Sequence, residues 1–290
     1  MGMNNNIVVC VQGGLGNQLF QYGFARYLEI IYKKKVKLDT ASFNNNFRRF
    51  KLNLFKTKLR VANEKEVENS KYQRKKFLFW KKKKTEYPED NNFNFKYSLN
   101  RITNGYLIGY WPKTNYLNEI KEQLRKEIQI DNKLLCTQFM KFHKMIKNEE
   151  SVGIHVRRGD YLLDKNKKIF AQINNDYYVD SVKQIKNKYN NCKFFVFSDD
   201  IDSVKNLRWA KSKDFIFVSL TSEHQDVKEF ELLKACKHHI IANSTFSWWA
   251  AFLNDNETGQ KISPQKWYSN EVFQKLYEDK YILDSSFIRI

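Results

Sequence analysis

Short β-branched runs alternate along this chain with stretches whose apolar residues recur at helical spacing. The first pair is a strand at 7–11 and a helix at 17–32, joined by a turn that contains Gly13, Gly14 and Gly16. The second half alternates most regularly. It predicts strands at 152–156, 194–197, 215–218 and 239–242, and helices at 177–189, 200–207, 223–236 and 245–253. Such alternation indicates βαβ units, so we expect an α/β fold with parallel sheets and helices on both faces.

Two of the predicted helices have a candidate N-cap. Asp176 precedes the helix at 177–189, and Ser222 with Gln225 fits the S-x-x-Q capping box before the helix at 223–236.

The first half is less regular. It predicts strands at 36–39 and 106–111 and helices at 115–130 and 133–147. The stretch at 41–104 lacks sustained periodicity and is predicted to be an insertion of loops and short helices. We place a domain boundary near residue 150, which gives domains at 1–150 and 151–290.

Composition excludes several classes of protein. The chain has 290 residues, of which 42% are hydrophobic, enough to bury one large core or two smaller ones. Its four cysteines are far apart and form no CxxC pair, which argues against a disulfide scaffold or a zinc ribbon and favours a reducing compartment. No run approaches the roughly 20 apolar residues of a membrane-spanning helix. We therefore expect a soluble, cytoplasmic protein.

Positive charge is concentrated in the first half. Residues 1–150 carry 30 Lys and Arg against 14 Asp and Glu, whereas residues 151–290 carry 21 against 18. Within 71–84, the aromatic run FLFW lies between two basic runs. This arrangement suits peripheral contact with an anionic membrane, or a nucleic-acid strand, or a solvated basic loop whose aromatic residues enter the core.

The glycine-rich turn at 13–18 follows a strand and precedes a helix. Glycines there let backbone N–H groups approach an anion, and the helix N-terminus adds positive partial charge. A tight βα turn is the simpler interpretation, although such a turn would not need the amides of Asn17 and Gln18.

Two adjacent arginines, Arg157 and Arg158, leave the strand at 152–156. Placing both at a buried strand end is costly unless they meet anions, and Asp160 neutralises only one of them. The arginine fork suits phosphate, which indicates a pyrophosphate ligand. His155 within the strand is either a ligand contact or an ordinary core histidine.

Polar residues also follow two other strands of the second half. Hydroxyl residues crowd the segment 243–247, where one helix cap would need only one of them. Asp199 and Asp200 end the strand at 194–197, where they could bind a cation, pair with a nucleoside or cap a helix. The pair His238-His239 lacks carboxylate spacing, and we predict no metal site.

Four segments together resemble the family 11 glycosyltransferases, the α-1,2-fucosyltransferases. These are GGLGNQLFQYGFARYL, IHVRRGDY, FSDD and ANSTFSWWAAFLN, which occur in family order over about 250 residues. The resemblance implies a GT-B architecture of two Rossmann-like domains facing across a cleft. The N-terminal domain is then on the acceptor side, the C-terminal domain binds GDP-fucose, and the last helix packs back on the first domain.

The resemblance also implies roles for individual residues. Arg157 holds the β-phosphate of GDP-fucose and acts in catalysis with Asn17, while Arg158 and Asp160 form a supporting pair. The other implied donor contacts are Gly14, Gly16, His155, Asp199 or Asp200, Ser244, Thr245, Phe246 and Ser247. The implied reaction is a metal-independent, inverting transfer of L-fucose to the 2-hydroxyl of a galactoside, in surface-polysaccharide or lipopolysaccharide synthesis.

Two other functions stay open at this point. One is a GT-B transferase that uses another sugar nucleotide or forms another linkage, since acceptor selection would lie in the stretch at 41–104. The other is a basic nucleic-acid-binding protein, which the position of the charge, away from the motif-rich half, argues against.

Overall fold

A computed structural model describes residues 6–44, 48–74, 82–84, 86–88, 105–158, 168–271, 274, 282–283 and 285–290. Contacts divide the chain into two compact units, Met1–Ile128 and Gln129–Ile290. The division comes before the predicted boundary near residue 150, because the helix Thr137–Asn148 packs within the second unit. The functions assigned to the two domains stay predictions.

The first unit is built on a parallel sheet. Its helices and strands are β1 Asn6–Cys10, α1 Leu15–Ile30, β2 Lys35–Asp39, β3 Arg60–Val61, α2 Glu64–Lys71, β4 Tyr72–Arg74, β5 Lys82–Lys84, β6 Glu86–Pro88, β7 Gly105–Ile108, α3 Thr114–Glu119 and α4 Lys121–Glu127. Five strands pair in parallel in the order β3-β2-β1-β7-β6. The stretch at 41–104 contains the predicted short helix α2, but it also supplies both edge strands, β3 and β6.

The second unit is built on a six-stranded sheet. Its helices and strands are α5 Thr137–Asn148, β8 Glu150–Val156, α6 Asn175–Lys188, β9 Cys192–Ser198, α7 Ile201–Lys205, β10 Phe215–Phe217, α8 Gln225–Ala235, β11 His238–Ile240, α9 Thr245–Leu253, β12 Lys261–Ser263 and β13 Phe287–Arg289. All neighbours pair in parallel in the order β10-β9-β8-β11-β12-β13. The predicted α/β class is confirmed, and this strand order is that of a Rossmann sheet.

The alternation of side chains along β8 separates the two faces of this sheet. Val152, Ile154 and Val156 face the apolar cluster that α6 and β9 complete. Gly153 faces the other way, where an added Cβ would lie 2.6 Å from Leu233 of α8. The same alternation places His155 on the α8 side.

Both predicted helix caps are wrong. The side chain of Asn174, not Asp176, accepts the N–H of Tyr177 at 3.0 Å and caps α6. Helix α8 begins after His224, which has a left-handed backbone and makes no side-chain cap. The Ser222 hydroxyl instead accepts a hydrogen bond at 3.0 Å from the ammonium of Lys228, whose burial demands an acceptor.

The membrane hypothesis for residues 71–84 stays a prediction. The aromatic run at 77–80 lies outside the described residues, and the backbones of β4 and β5 on either side of it form an antiparallel pair. In the part of the chain that the structure describes, no helix is long and apolar enough to cross a bilayer. Most of the C-terminal segment from 272 to 281 is also outside the described residues, as is Asp160.

A buried ion pair joins α1 to α4 in the first unit. Glu127 is 1% exposed and accepts hydrogen bonds at 2.8 Å from Nε and Nη2 of Arg26, which is itself buried. The hydroxyl of Tyr22 donates to the same carboxylate at 2.5 Å. Burial alone would raise the pKa of Glu127, but these hydrogen bonds outweigh it, and the pKa lies below its ordinary value. The carboxylate is therefore charged and fully engaged.

We predict that Glu127→Ala destabilises the protein by about 3–5 kcal/mol, because it removes two hydrogen bonds and the buried counter-charge from the Arg26 guanidinium and leaves it with the partly exposed Glu29. Urea unfolding followed by circular dichroism measures the change. Glu122→Ala is the matched control, since Glu122 lies on the same helix with its side chain 73% exposed and should cost less than about 1 kcal/mol. Equal losses in the two variants would contradict the structural role of the buried pair.

Candidate functional site

The strand order of the second unit indicates the edge of the sheet at which a ligand is expected. The chain runs outward from β8 through β9 to β10, and then resumes on the other side of β8 with β11. In open parallel sheets, ligands bind outside the carboxyl ends of the strands at such a reversal of order. Arg157 and Arg158 directly follow β8. The segment 243–247 begins three residues after the end of β11. Two predicted groups of site residues thus lie at one edge of one sheet.

Asp199 holds the two-arginine segment in place. One of its carboxylate oxygens lies 2.9 Å from Nη1 of Arg157, and the other accepts the backbone N–H of Arg158 at 2.9 Å. This contact is possible because β8 and β9 pair in register, with Val156 opposite Ser198. Both side chains are partly accessible, at 21% for Arg157 and 25% for Asp199. The guanidinium is therefore oriented by an acid and still reaches solvent.

The neighbouring carboxylate has a different role. Asp200 precedes α7, and its side chain accepts the N–H of Ser203 at 3.2 Å, which makes it a helix cap. The hydrogen bonds from Ser203 lower the pKa of Asp200. Of the two acids predicted to contact a nucleoside, one therefore pairs with Arg157 and the other caps a helix.

His155 is a neutral, buried side chain beside the arginines. It is 4% exposed, and burial together with the Arg157 charge lowers the pKa of His155 to about 3. Among the described residues its Nδ1 has no hydrogen-bond partner. Its ring centroid lies 5.3 Å from that of Phe246, which in turn lies 5.6 Å from Phe230 of α8. The contact with Phe246 places His155 beside the N-terminus of α9, and its role as a ligand contact stays a prediction.

The segment after β11 forms the N-terminus of α9. Ser244 is the N-cap residue but makes no side-chain cap, and the helix begins at Thr245. The first N–H groups of a helix and its dipole favour an anion. Ser247 is fully buried and its hydroxyl lies 3.3 Å from the carbonyl of Ser244, so it supports the turn from within. Thr245 and Phe246 keep partial exposure at this edge.

Asn243 fixes the same segment to two others. It is 2% exposed, and its amide donates at 2.9 Å to the carbonyls of both Ala171 and Trp267. A cavity of about 280 Å³ opens beside it. The cavity is lined chiefly by Arg157, Arg158, Asn243, Tyr178 and the segment Ala171–Asn175 that leads into α6. Two cations, an amide and the start of α6 thus surround one space, an arrangement that suits a polar, anionic ligand.

In the first unit, the glycine-rich turn lies at the carboxyl end of β1. Gly13 has a φ of +83°, and a Cβ there would lie 2.9 Å from Nδ2 of Asn17. Gly14 is the N-cap residue of α1, while Gly16 is buried in its first turn. The predicted group Gly14, Gly16 and Asn17 is therefore assembled by one strand-to-helix turn.

Gln18 is a brace for this turn. It is 1% exposed, and its Nε2 donates to the carbonyls of Gly13 at 3.0 Å and Arg49 at 2.9 Å. Its Oε1 accepts the N–H of Lys51 at 2.9 Å. The two amides of the turn thus differ in role. Gln18 holds the turn through its hydrogen bonds, whereas Asn17 stays partly accessible.

Sequence reasoning missed Glu229 of α8. Its side chain is 8% exposed and accepts hydrogen bonds from Gln225 at 2.9 Å and from the backbone N–H of Leu220 at 3.4 Å. Burial raises the pKa of Glu229 to about 7. Helix α8 starts at the carboxyl edge of the sheet, and Glu229 lies at the start of its second turn. Asp226 and Glu231 on the same helix are also acidic, so no sequence signal singled out Glu229.

Comparison with known proteins gives a consistent result. Residues 8–288 match the sequence model of glycosyl transferase family 11. The chain is 33% identical to an α-1,2-colitosyltransferase of Escherichia coli, with 91% of this chain and 93% of the relative covered. It is 30% identical to the O-antigen biosynthesis glycosyltransferase WbnK of Escherichia coli, with 94% and 98% covered. A galactoside α-(1,2)-fucosyltransferase 1 of Sus scrofa is 26% identical over 52% of this chain and 44% of that protein.

A solved structure supports the fold. The α-1,6-fucosyltransferase NodZ, co-crystallised with GDP, superimposes with a TM-score of 0.54 at 13% identity, covering 87% of this chain and 93% of NodZ. The GT-B-like fold expected from the sequence is thereby confirmed.

The raised pKa of Glu229 predicts that the stability of the protein depends on pH. Its pKa is higher in the folded protein than its ordinary value of 4.5, so its protonated form stabilises the fold and this contribution is lost as pH rises through 7. Relative to Glu229→Gln, the wild type should lose roughly 3 kcal/mol between pH 4 and pH 8, from about 1.4 kcal/mol per pKa unit. Guanidinium unfolding at several pH values measures the difference.

Glu223→Gln is the control for this measurement, because the Glu223 side chain is 82% exposed. It should show no such pH dependence relative to the wild type. A difference between the wild type and Glu229→Gln that stays constant from pH 4 to pH 8 would show that Glu229 does not titrate as described.

Proposed function

Because the chain belongs to glycosyl transferase family 11, we propose that it transfers L-fucose from GDP-fucose to the 2-hydroxyl of a terminal galactoside in α-1,2 linkage. The observation that carries this proposal is the position of Arg157 and the start of α9 at one edge of the Rossmann sheet, where its strand order reverses. Relatives described as an α-1,2-colitosyltransferase and as α-(1,2)-fucosyltransferases support the linkage.

The donor diphosphate is proposed to lie against Arg157 and the N-terminus of α9. As the bond from the sugar to the β-phosphate breaks, negative charge grows on that phosphate. A guanidinium already oriented by Asp199 stabilises this charge without reorganising. The acceptor hydroxyl attacks the opposite face of the sugar, which inverts the configuration. We propose that the arginine and the helix N-terminus take the place of a metal ion in this step.

His155 and Phe246 are proposed to form the nucleoside end of the donor site. The imidazole is neutral and adds no charge against the arginines, while the partly exposed ring of Phe246 offers a surface for a base. The sequence alone leaves open whether Asp199 or Asp200 contacts the nucleoside. The engagement of Asp199 with Arg157 and of Asp200 with Ser203 favours a role for both in holding the site together.

A second donor is favoured by one observation. A relative that matches 91% of this chain is described as a colitosyltransferase, and colitose is L-fucose without its 3-hydroxyl group. The two sugars present the same 6-deoxy face and the same leaving group. The acceptor is proposed to be a glycan of a surface polysaccharide, in keeping with the O-antigen description of WbnK.

The donor and the linkage are tested by one assay. The purified protein is mixed with GDP-fucose or GDP-colitose and with lactose or N-acetyllactosamine, with and without EDTA. We expect GDP release and an α-1,2-fucosylated product, identified by NMR, that persists in EDTA. Transfer from GDP-colitose without transfer from GDP-fucose would contradict the assignment of GDP-fucose as the donor. Loss of product in EDTA would contradict the metal-independent mechanism.

Arg157 is tested separately by substitution. Arg157→Ala should lower kcat by about 100-fold or more, the scale of removing one donor to a developing anion. Arg157→Lys should recover little, because an ammonium cannot reproduce the fork that faces Asp199 and a phosphate. Lys205→Ala, which removes an exposed cation of the same unit, is the control and should leave kcat unchanged. Near-normal turnover of Arg157→Ala would contradict the proposed role.

A further inference from the structure

The first unit has its own reversal of strand order. The chain runs from β1 through β2 to β3 on one side, while β7 lies against the other side of β1. The carboxyl ends of β1 and β7 therefore flank a second place where a ligand binds to an open parallel sheet. The glycine-rich turn with Asn17 follows β1, and the segment Gly109–Trp111 follows β7.

A single buried amide ties these two segments together. Gln21 of α1 is fully buried, and its Nε2 donates to the carbonyl of Gly109 at 3.0 Å. Its Oε1 accepts the N–H of Gln12 at 2.9 Å. The residues that directly precede Tyr110 and the glycine-rich turn are thus joined through one side chain.

The backbone at Trp111, which follows Tyr110, is strained. Trp111 has a φ of +47°, which is unusual for a bulky residue. The strain is maintained by a stack on Phe24, with ring centroids 4.3 Å apart, and by the hydroxyl of Tyr116, which donates to the Trp111 carbonyl at 2.6 Å. Strained backbone of this kind is typical of functional sites. Here it buries one aromatic ring and leaves the preceding one at the surface.

Tyr110 is 39% exposed. Among the large hydrophobic side chains that are exposed in the described part of the chain, it is the only aromatic one. Its aromatic ring offers an apolar face, which suits a polar ligand that has one apolar side. A galactoside is such a ligand, since the axial 4-hydroxyl of galactose leaves the C–H bonds of C3, C4 and C5 on one face.

We propose that Tyr110 is the platform on which the acceptor galactoside stacks, beside the turn that carries Asn17. The proposal rests on the proposed function, because it names the residue that binds the acceptor of that reaction. The ring holds the C–H face of the galactose and leaves its hydroxyl edge facing away from the ring. Tyr110 thus contributes to acceptor selection and takes no part in binding the donor.

The test compares Tyr110→Ala, Tyr110→Phe and the control Val61→Ala, which truncates another exposed apolar side chain of the first unit. With saturating GDP-fucose and a varied galactoside, Tyr110→Ala should raise the KM for the acceptor by about tenfold. Tyr110→Phe and Val61→Ala should retain the wild-type KM. The Kd for GDP should be the same in all variants. An unchanged acceptor KM in Tyr110→Ala, or an equal loss in Tyr110→Phe, would overturn the platform.

A binding measurement separates this proposal from the proposed function. Saturation-transfer NMR of a β-galactoside with the wild type should show the strongest signals at H3, H4 and H5, and Tyr110→Ala should abolish them. If the wild type transfers no fucose but this difference is seen, the donor assignment fails and the platform holds. If the wild type gives no saturation transfer to a galactoside, the platform is overturned even where GDP-fucose is hydrolysed.

Discussion

The parallel pairing of strands is the constraint on which both candidate sites depend. Parallel strands end at the same edge, so residues that are far apart in sequence but directly follow a strand become neighbours. In the second unit this brings Arg157, Asp199 and the N-terminus of α9 to one edge of the sheet. In the first unit it brings the glycine-rich turn beside the segment that contains Tyr110.

Electrostatic pre-organisation explains how the second site suits an anion. An arginine that reaches a phosphate must be held without being neutralised, and Asp199 does so through one guanidinium nitrogen and one backbone N–H. The histidine beside it is kept neutral by burial and by the arginine itself. The net result is a positively charged, partly buried edge with a helix N-terminus on its other side. We propose that growing negative charge on a leaving group is stabilised there without reorganisation.

Much of this arrangement is predictable from sequence, for local reasons. The strand before Arg157 and the helix from Thr245 follow from β-branched runs and helical spacing, and α9 has the predicted bounds. The different roles of the adjacent carboxylates Asp199 and Asp200 are not predictable in this way. Only the register of β8 against β9 determines which of the two contacts Arg157. The cap at Ser222 fails since buried Lys228 uses that hydroxyl. The edge strands β3 and β6 are too short to show periodicity, and tertiary pairing alone makes them strands.

We propose that the carboxyl edge between β8 and β11 holds the donor diphosphate. A crystal structure of the protein with GDP tests this proposal. We expect a β-phosphate oxygen about 3 Å from the Arg157 guanidinium and from a backbone N–H at the start of α9, with the base near Phe246. GDP bound elsewhere, with Arg157 contacting Asp199 but no phosphate, would contradict the account.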